Sequence, residues 1–258
     1  MKELLRIHRL ALHPVKVFSI VLGIFLSLSS ILLISRWSGI ELAETPFLTR
    51  PSNALHALFL QQKFVALLSI AFFIALVWAI LGGGVTRLMS QDVLEGRHQN
   101  LLVAMKFCCR WALFYPSSLA SACFFILLLS PWQPWLLLGV LPLWLYAGFI
   151  YGALTSENIS LKVALNRAHA KIRRWKIWLP LQLRFLIGFC LSTGVVYSLA
   201  LLAAYGVHLA LGGKWDFFSL SPPWEWQGIF VYPILAYALG YTTSNLKSLQ
   251  IYLYQKVP

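Results

Sequence analysis

The chain has 258 residues, of which 59% are hydrophobic and only 11% charged, with a mean hydropathy of +0.74. Soluble domains carry about 45–50% apolar and about 25% charged residues, so this chain has too few charges to cover a surface facing water. The same composition excludes disordered, collagen-like and disulfide-rich classes and predicts an all-α integral membrane protein.

A spanning helix takes about 20 mostly apolar residues. Six stretches qualify, at 15–35, 64–82, 111–129, 135–154, 179–205 and 228–243, within one polytopic domain covering 1–258. The runs are continuous rather than alternating, which favours helices over barrel strands. The first stretch is apolar from Val17 to Ile34, longer than the roughly 7–15 residues of a signal-peptide core. No small-residue cleavage site precedes Arg36 and Trp37, so it reads as an uncleaved anchor. The last span is short, and Leu246–Tyr254 reads as an interfacial helix continuing it.

Charge sets the orientation. Of 21 Lys and Arg residues, 17 fall in the N-terminus, the second and fourth loops with the start of span five, and the C-terminus. The asymmetry places both termini in the cytoplasm and the protein in the inner, cytoplasmic membrane. The net charge of +13 is then a topology signal and an attraction for anionic phospholipids, about 1 kcal/mol per basic residue near the headgroups. No module that interleaves aromatic and basic residues points to nucleic acid.

The fourth loop holds the most regular amphipathic pattern, predicting an interfacial helix from Ile159 to Lys176. Leu161, Leu165, Ala168, Ile172 and Trp175 form one stripe, with Lys162, Asn166, His169, Arg173 and Lys176 one position round. Lys162, Arg173, Arg174 and Lys176 are candidate contacts for lipid or a partner. The second loop repeats this plan: Leu101–Met105 parallels Leu161–Leu165, and Arg110, Trp111 and Pro116 parallel Arg174, Trp175 and Pro180. Glycine–threonine exits at Gly84–Thr86, Gly152–Thr155 and Gly240–Thr242 then suggest three helical-hairpin repeats.

On the outer side, the stretch 206–227 carries Trp215, Trp224 and Trp226. These rings suit anchoring in headgroups or contact with another subunit. Small residues spaced by four, Gly148 with Gly152 and Gly188 with Ser192, would let helices approach closely.

Tests for chemistry return little. The spans hold almost no ionisable residue; Arg184 lies about one turn inside span five and can snorkel outward. The six histidines sit in loops or near span ends. His13 with His169, and His56 with His208, are the pairings the topology allows, but no metal-binding spacing accompanies them. Cys108, Cys109, Cys123 and Cys190 all avoid the outer loops, so no structural disulfide is expected. Gly82–Gly84 lacks the Gly-Lys-Ser/Thr of a phosphate loop. No catalytic residue, cofactor or metal is expected.

Gly83–Arg87 leading into Leu101–Met105, Tyr151–Thr155 leading into Ser160–Leu165 and a basic-aromatic run, and the ending Leu249–Tyr254 together carry a resemblance. The order is similar to a broad group of uncharacterised bacterial six-span proteins, which includes the membrane domain fused to some glycerophosphodiester phosphodiesterases. That resemblance covers most of the chain and implies a six-helix membrane module, with no catalytic residues to transfer. A second resemblance is to permease subunits of ABC exporters, with Lys2–Leu12 as the interfacial helix and Thr86–Arg97 as the coupling segment. The long basic fourth loop departs from that pattern. The expected function is a non-enzymatic subunit that scaffolds or assembles a complex with other membrane protein subunits. The alternative is a transport module working with a separate ATPase.

Overall fold

A computed structural model describes residues 12–41, 50–94, 100–129, 134–210 and 228–256, and every regular element among them is helical. Helix α1 (Pro14–Trp37) starts with proline in its first turn, where the missing N–H has no partner to lose. It stops at Gly39, whose φ of +74° is easy only for glycine. The N–H groups of Gly39 and Ile40 turn back to the Arg36 and Ser35 carbonyls, both at 3.0 Å, closing a Schellman motif. Next come α2 (Arg50–Leu60) and α3 (Phe64–Val77), which passes through a π turn (Trp78–Gly82) directly into α4 (Gly83–Leu94). Helix α5 (Leu101–Cys108) is capped by Asn100, whose side chain accepts from the Leu102 N–H at 3.1 Å. A single 3-10 turn (Trp111–Leu113) opens α6 (Phe114–Leu129), and α7 (Pro134–Ser156), α8 (Leu161–Arg173), α9 (Trp175–Ala210) and α10 (Gly228–Lys256) complete the chain.

Helix α1 packs on α2, α3 and α10, α3 packs on α6, and α7 lies among α4, α6, α8 and α10. One apolar core joins Cys108, Leu113, Phe149, Ile150 and Leu154 to Ala164 and Ala168 of α8 and to Leu249, Leu253 and Tyr254 of α10. A second joins Ile31 of α1 to Leu55, Leu58, Ile70 and Ile74. Two helices are long and apolar enough to cross a membrane, Pro14–Trp37 and Phe64–Asp92. Hydroxyls inside the helices are satisfied locally: Ser27, Thr86, Ser117, Ser121 and Thr155 each donate to the carbonyl four residues back, at 2.6–2.7 Å.

Three expectations are corrected. Leu246–Tyr254 does continue the last expected span, as the second half of an unbroken α10, but it is packed among neighbouring helices rather than laid open at an interface, with Ser244, Ser248, Ile251, Leu253 and Tyr254 all buried. Nothing in Thr243–Lys256 breaks a helix, and neighbours cover that half on several sides. The π turn likewise carries the second expected span straight into what was read as loop, up to Leu94. The helix expected from Ile159 to Lys176 covers only Leu161–Arg173: the Arg174 N–H bonds back to Lys171 at 3.1 Å, and the chain turns. Trp175 and Lys176 therefore open α9, and Trp175 lies exposed, off the oily stripe where the periodicity put it.

Close packing of α1 on α10 depends on Gly240, where an added Cβ would stand 2.5 Å from a Val21 methyl and 3.0 Å from the Val17 carbonyl oxygen. Gly240→Ala is expected to cost about 1–3 kcal/mol through overpacking. Gly194→Ala, which meets nothing within 4 Å, is expected to be neutral or to gain up to about 1 kcal/mol of helix propensity. Unfolding of both variants in detergent checks the contrast.

Candidate functional site

Polar side chains collect where the second half of α10 meets the π turn, α4, α5 and α7. Ser244, Asn245, Ser248 and Gln250 are all buried on α10, and Ser90, Gln91 and Asp92 are buried on α4. Lys247 points from α10 into the π turn. Its Nζ donates to the Gly82 carbonyl at 3.4 Å and to Thr86 Oγ1 at 3.3 Å. The same nitrogen lies 4.9 Å from the Tyr151 ring centre and 5.6 Å from that of Trp78. Among the described residues no carboxylate pairs with it. The other end of the turn is held from α7, where the Tyr151 hydroxyl donates to the Trp78 carbonyl at 3.3 Å and also bonds to Ser117. Position 82 must be small, because a Cβ there would stand 2.8 Å from the Trp78 ring.

Three further arrangements frame this centre. Lys16 of α1 and Asp92 of α4 form an ion pair with 3% and 4% of their side chains exposed. Arg87 donates to the Thr155 carbonyl at 2.6 Å and stacks 3.6 Å over Phe107, with Arg110 4.7 Å from the same ring centre. Beside them, burial pushes the Cys108 thiol up to about 12 against the opposing pull of Arg87. Cys109, its neighbour, is exposed. Helix α8 is strapped on by Lys171, which donates to the Tyr254 carbonyl at 2.7 Å, and by Glu157, which receives the Tyr254 hydroxyl at 2.6 Å and pairs with Arg167. Burial also lowers the Lys171 amine, with Arg174 and Arg167 adding to the effect.

The residues singled out from sequence are dispersed. Lys162, Arg173, Arg174 and Lys176 are exposed around α8 and its exit. Gly148 and Gly152 are buried at the α7–α10 contact, where an added Cβ would stand 2.5 Å from Gln250 and 2.9 Å from the Tyr254 ring. Gly188 and Ser192 fall on α9, but their surroundings lie outside the described residues, as do Trp215, Trp224 and Trp226. No group of three His, Cys, Asp or Glu able to hold a metal gathers among the described residues.

Lys16, Asp92 and Lys247 lie at or beyond the ends of the expected spans, and the packing of those ends gathers them into a polar centre. Sequence reading counted Lys16 with the N-terminus and Lys247 with the C-terminus, singled out no role for Asp92, and so missed their meeting. A signal was present in Ser244 and Ser248, which stand one helical turn apart and share a face. An open groove of about 470 Å³ lies between α9 and α10, lined by Val196, Leu199, Ala200, Pro233, Ile234, Tyr237 and Ala238, and is apolar.

The fold and this cluster define an all-α protein with two helices able to cross a membrane and a buried polar centre between them and α10. No family model, curated protein or solved structure matches the chain.

Two measurements test the cluster. Breaking a buried pair by removing one partner costs about 3–5 kcal/mol, whereas replacing both partners with apolar groups is often neutral. Asp92→Ala is thus expected to be strongly destabilising, and Lys16→Met with Asp92→Leu to recover most of the loss in detergent unfolding. A maleimide at neutral pH is expected to label Cys109 and to spare Cys108, which burial keeps as an inaccessible thiol; mass spectrometry of the labelled peptide reads the two sites.

Proposed function

We propose that the chain is a six-span inner-membrane protein with both termini in the cytoplasm, built from three helical hairpins, which acts as a non-enzymatic subunit assembling a larger membrane complex. The observation that carries this reading is the exposure of apolar side chains along whole helices. Phe18, Phe25 and Leu33 on α1, Phe64, Val65, Leu68 and Phe72 on α3, and Leu191, Val195, Leu199 and Leu202 on α9 are all open. Patches this extensive are not left against water. Ser69, exposed on α3, donates back to the Val65 carbonyl at 2.8 Å, which supports the same reading because hydrocarbon would offer it no other partner. Among the described residues, helix α9 rests mainly on α10, and its open positions Leu191, Val195, Leu199 and Leu202 suit contact with lipid or a neighbouring subunit.

On the cytoplasmic side the reading gives α8 a definite role. Its inner face is occupied by the bundle through Ala164 and Ala168, so Lys162, Arg173 and Lys176 are presented outward on a fixed platform toward anionic phospholipids or an acidic partner. Transport, the second reading from sequence, gains no support from the apolar groove.

Purification in mild detergent is the test of assembly: further subunits are expected to accompany the chain at fixed ratio, and a chain that elutes alone as a monomer would contradict the reading. For the platform, replacing Lys162, Arg173 and Lys176 with Gln removes attraction on the order of 1 kcal/mol each at an anionic surface. Copurified phospholipid or partner per mole of protein is expected to fall at low salt, with the spans still inserted.

A further inference from the structure

The corner where α5 turns into α6 sets exposed apolar side chains directly beside exposed cations. Helix α5 buries Ala104 and Cys108, one turn apart, against the bundle. Its open side carries Leu102, 71% exposed, and Val103, 55% exposed, and just past its end Trp111 is 82% exposed. Lys106 and Arg110 follow Leu102 at steps of four, so they continue the same open side, and both are exposed.

The apolar part is continuous with the rest of the open surface. The Trp111 ring meets Phe114 edge-on at 5.9 Å, and Phe114 meets Phe72 of α3 at 5.3 Å. Phe72 stands on the open face of α3 with Phe64, Val65 and Leu68. One aromatic strip therefore runs from that face to the corner and stops at Trp111, next to Arg110. On the reading of the chain as membrane-spanning, on which this inference rests, the open face of α3 lies in hydrocarbon. The strip then ends among the headgroups, where an indole is well placed.

The cations lack a counter-charge of their own. No Asp or Glu occurs from 100 to 129, and among the described residues neither Lys106 nor Arg110 meets a carboxylate. Glu157, in the facing loop, is committed to the Tyr254 hydroxyl and to Arg167. Arg110 Nη1 donates to Asn158 Oδ1 at 2.5 Å, and its guanidinium lies 4.7 Å from the Phe107 ring centre. A guanidinium has five N–H groups, so these contacts fix its position and leave most of its donors unspent. Arg87, 3.6 Å from the centre of the same ring, adds to the positive potential there.

We propose that the α5–α6 corner is a binding site for one anionic phospholipid. Arg110 and Lys106 hold its phosphate, the guanidinium as a fork and the ammonium as a point charge, while its acyl chains lie along Trp111, Leu102 and Val103. A free anion has no use for the apolar half of this surface. The site uses none of the α8 residues Lys162, Arg173 and Lys176, so it is a second and separate contact with lipid.

The test is native mass spectrometry of the full chain, purified in detergent and stripped of lipid, titrated with phosphatidylglycerol or phosphatidylcholine. The first phosphatidylglycerol is expected to bind at least about tenfold more tightly, with the preference falling as salt rises. Lys106→Gln and Arg110→Gln are each expected to weaken it about fivefold, and the pair on the order of thirtyfold, with phosphatidylcholine unchanged. Trp111→Ala is expected to weaken both lipids. Lys106 has no partner in the fold, so its variant keeps the test readable should Arg110→Gln disturb the Asn158 contact. The chain with Lys162, Arg173 and Lys176 all changed to Gln is expected to keep the tight first lipid.

Equal affinity for the two lipids would overturn the proposal, as would a preference that survives the double variant or disappears in the α8 variant. Glycerophosphoglycerol, the headgroup without its chains, competing as well as the lipid would make this a free-anion site and overturn it too. A corner indifferent to headgroup charge, whose double variant instead loses a copurifying subunit, would belong to an acidic protein partner. Alkaline extraction separates this from the reading beneath it: a wild-type chain that leaves membranes without detergent defeats both, and one that stays inserted but shows no headgroup preference defeats the site alone.

Discussion

The fold depends on burying the second half of α10. From Ser244 to Tyr254 this helix packs against α1, α4, α7 and α8, yet it carries Ser244, Asn245, Lys247, Ser248 and Gln250. A buried polar group left without a partner costs about 1–3 kcal/mol, so each must be met by a neighbour at a fixed register. Gln250 donates to the Trp144 carbonyl at 3.2 Å, Ser248 to Met89, and Lys247 to the π turn. The small residues opposite let the helix come close enough: Gly148 faces Gln250 and Gly152 faces Tyr254. Apolar burial would hold these helices together in several registers, and the hydrogen bonds select one.

Charge acts differently at the two levels of the structure. Lys16 and Asp92 are almost fully enclosed, where neither could stand without the other. Arg167 and Glu157 are half open to solvent, and a pair so exposed is worth about 0–1 kcal/mol. The stronger contributions at α8 are the apolar seat under Ala164 and Ala168 and the Lys171 bond to the end of α10. Basic residues on the outer face are thereby released from structural duty and remain available for contact.

Much of the helical content could be read directly, because runs of apolar residues such as Phe64–Val77 leave no alternative to a helix. Helix ends were less legible. Nothing in Trp78–Gly84 distinguishes a helix that exits at glycine from one that continues through a π turn; that depends on Tyr151 and Lys247, far away in sequence, supplying donors to its carbonyls. Of the periodic stripe on α8, Ala168 is buried and Leu161, Leu165 and Ile172 pack partly buried beside it, but the stripe left out the buried Ala164, and spacing alone carried the pattern past Arg174 into Trp175. The polar centre was the least legible part. Lys16, Asp92 and Lys247 are ordinary flanking charges until the topology brings α1, α4 and α10 together, and single-residue hydropathy holds no record of that juxtaposition.

The central claim, that the last helix continues into the bundle and seats against α7, reduces to one distance. A Cβ at Gly152 would stand 3.2 Å from Cβ of Tyr254, near the roughly 3.5–4.5 Å of disulfide-bonded pairs. With Cys108, Cys109, Cys123 and Cys190 changed to Ser, a chain carrying Gly152→Cys and Tyr254→Cys is to be oxidised in native membranes. The account predicts a rapid intramolecular disulfide, visible as a gel shift reversed by reductant and absent from either single cysteine. Free thiols persisting under oxidation, with both cysteines still open to maleimide, would mean that the end of the chain lies apart from α7 and would contradict it.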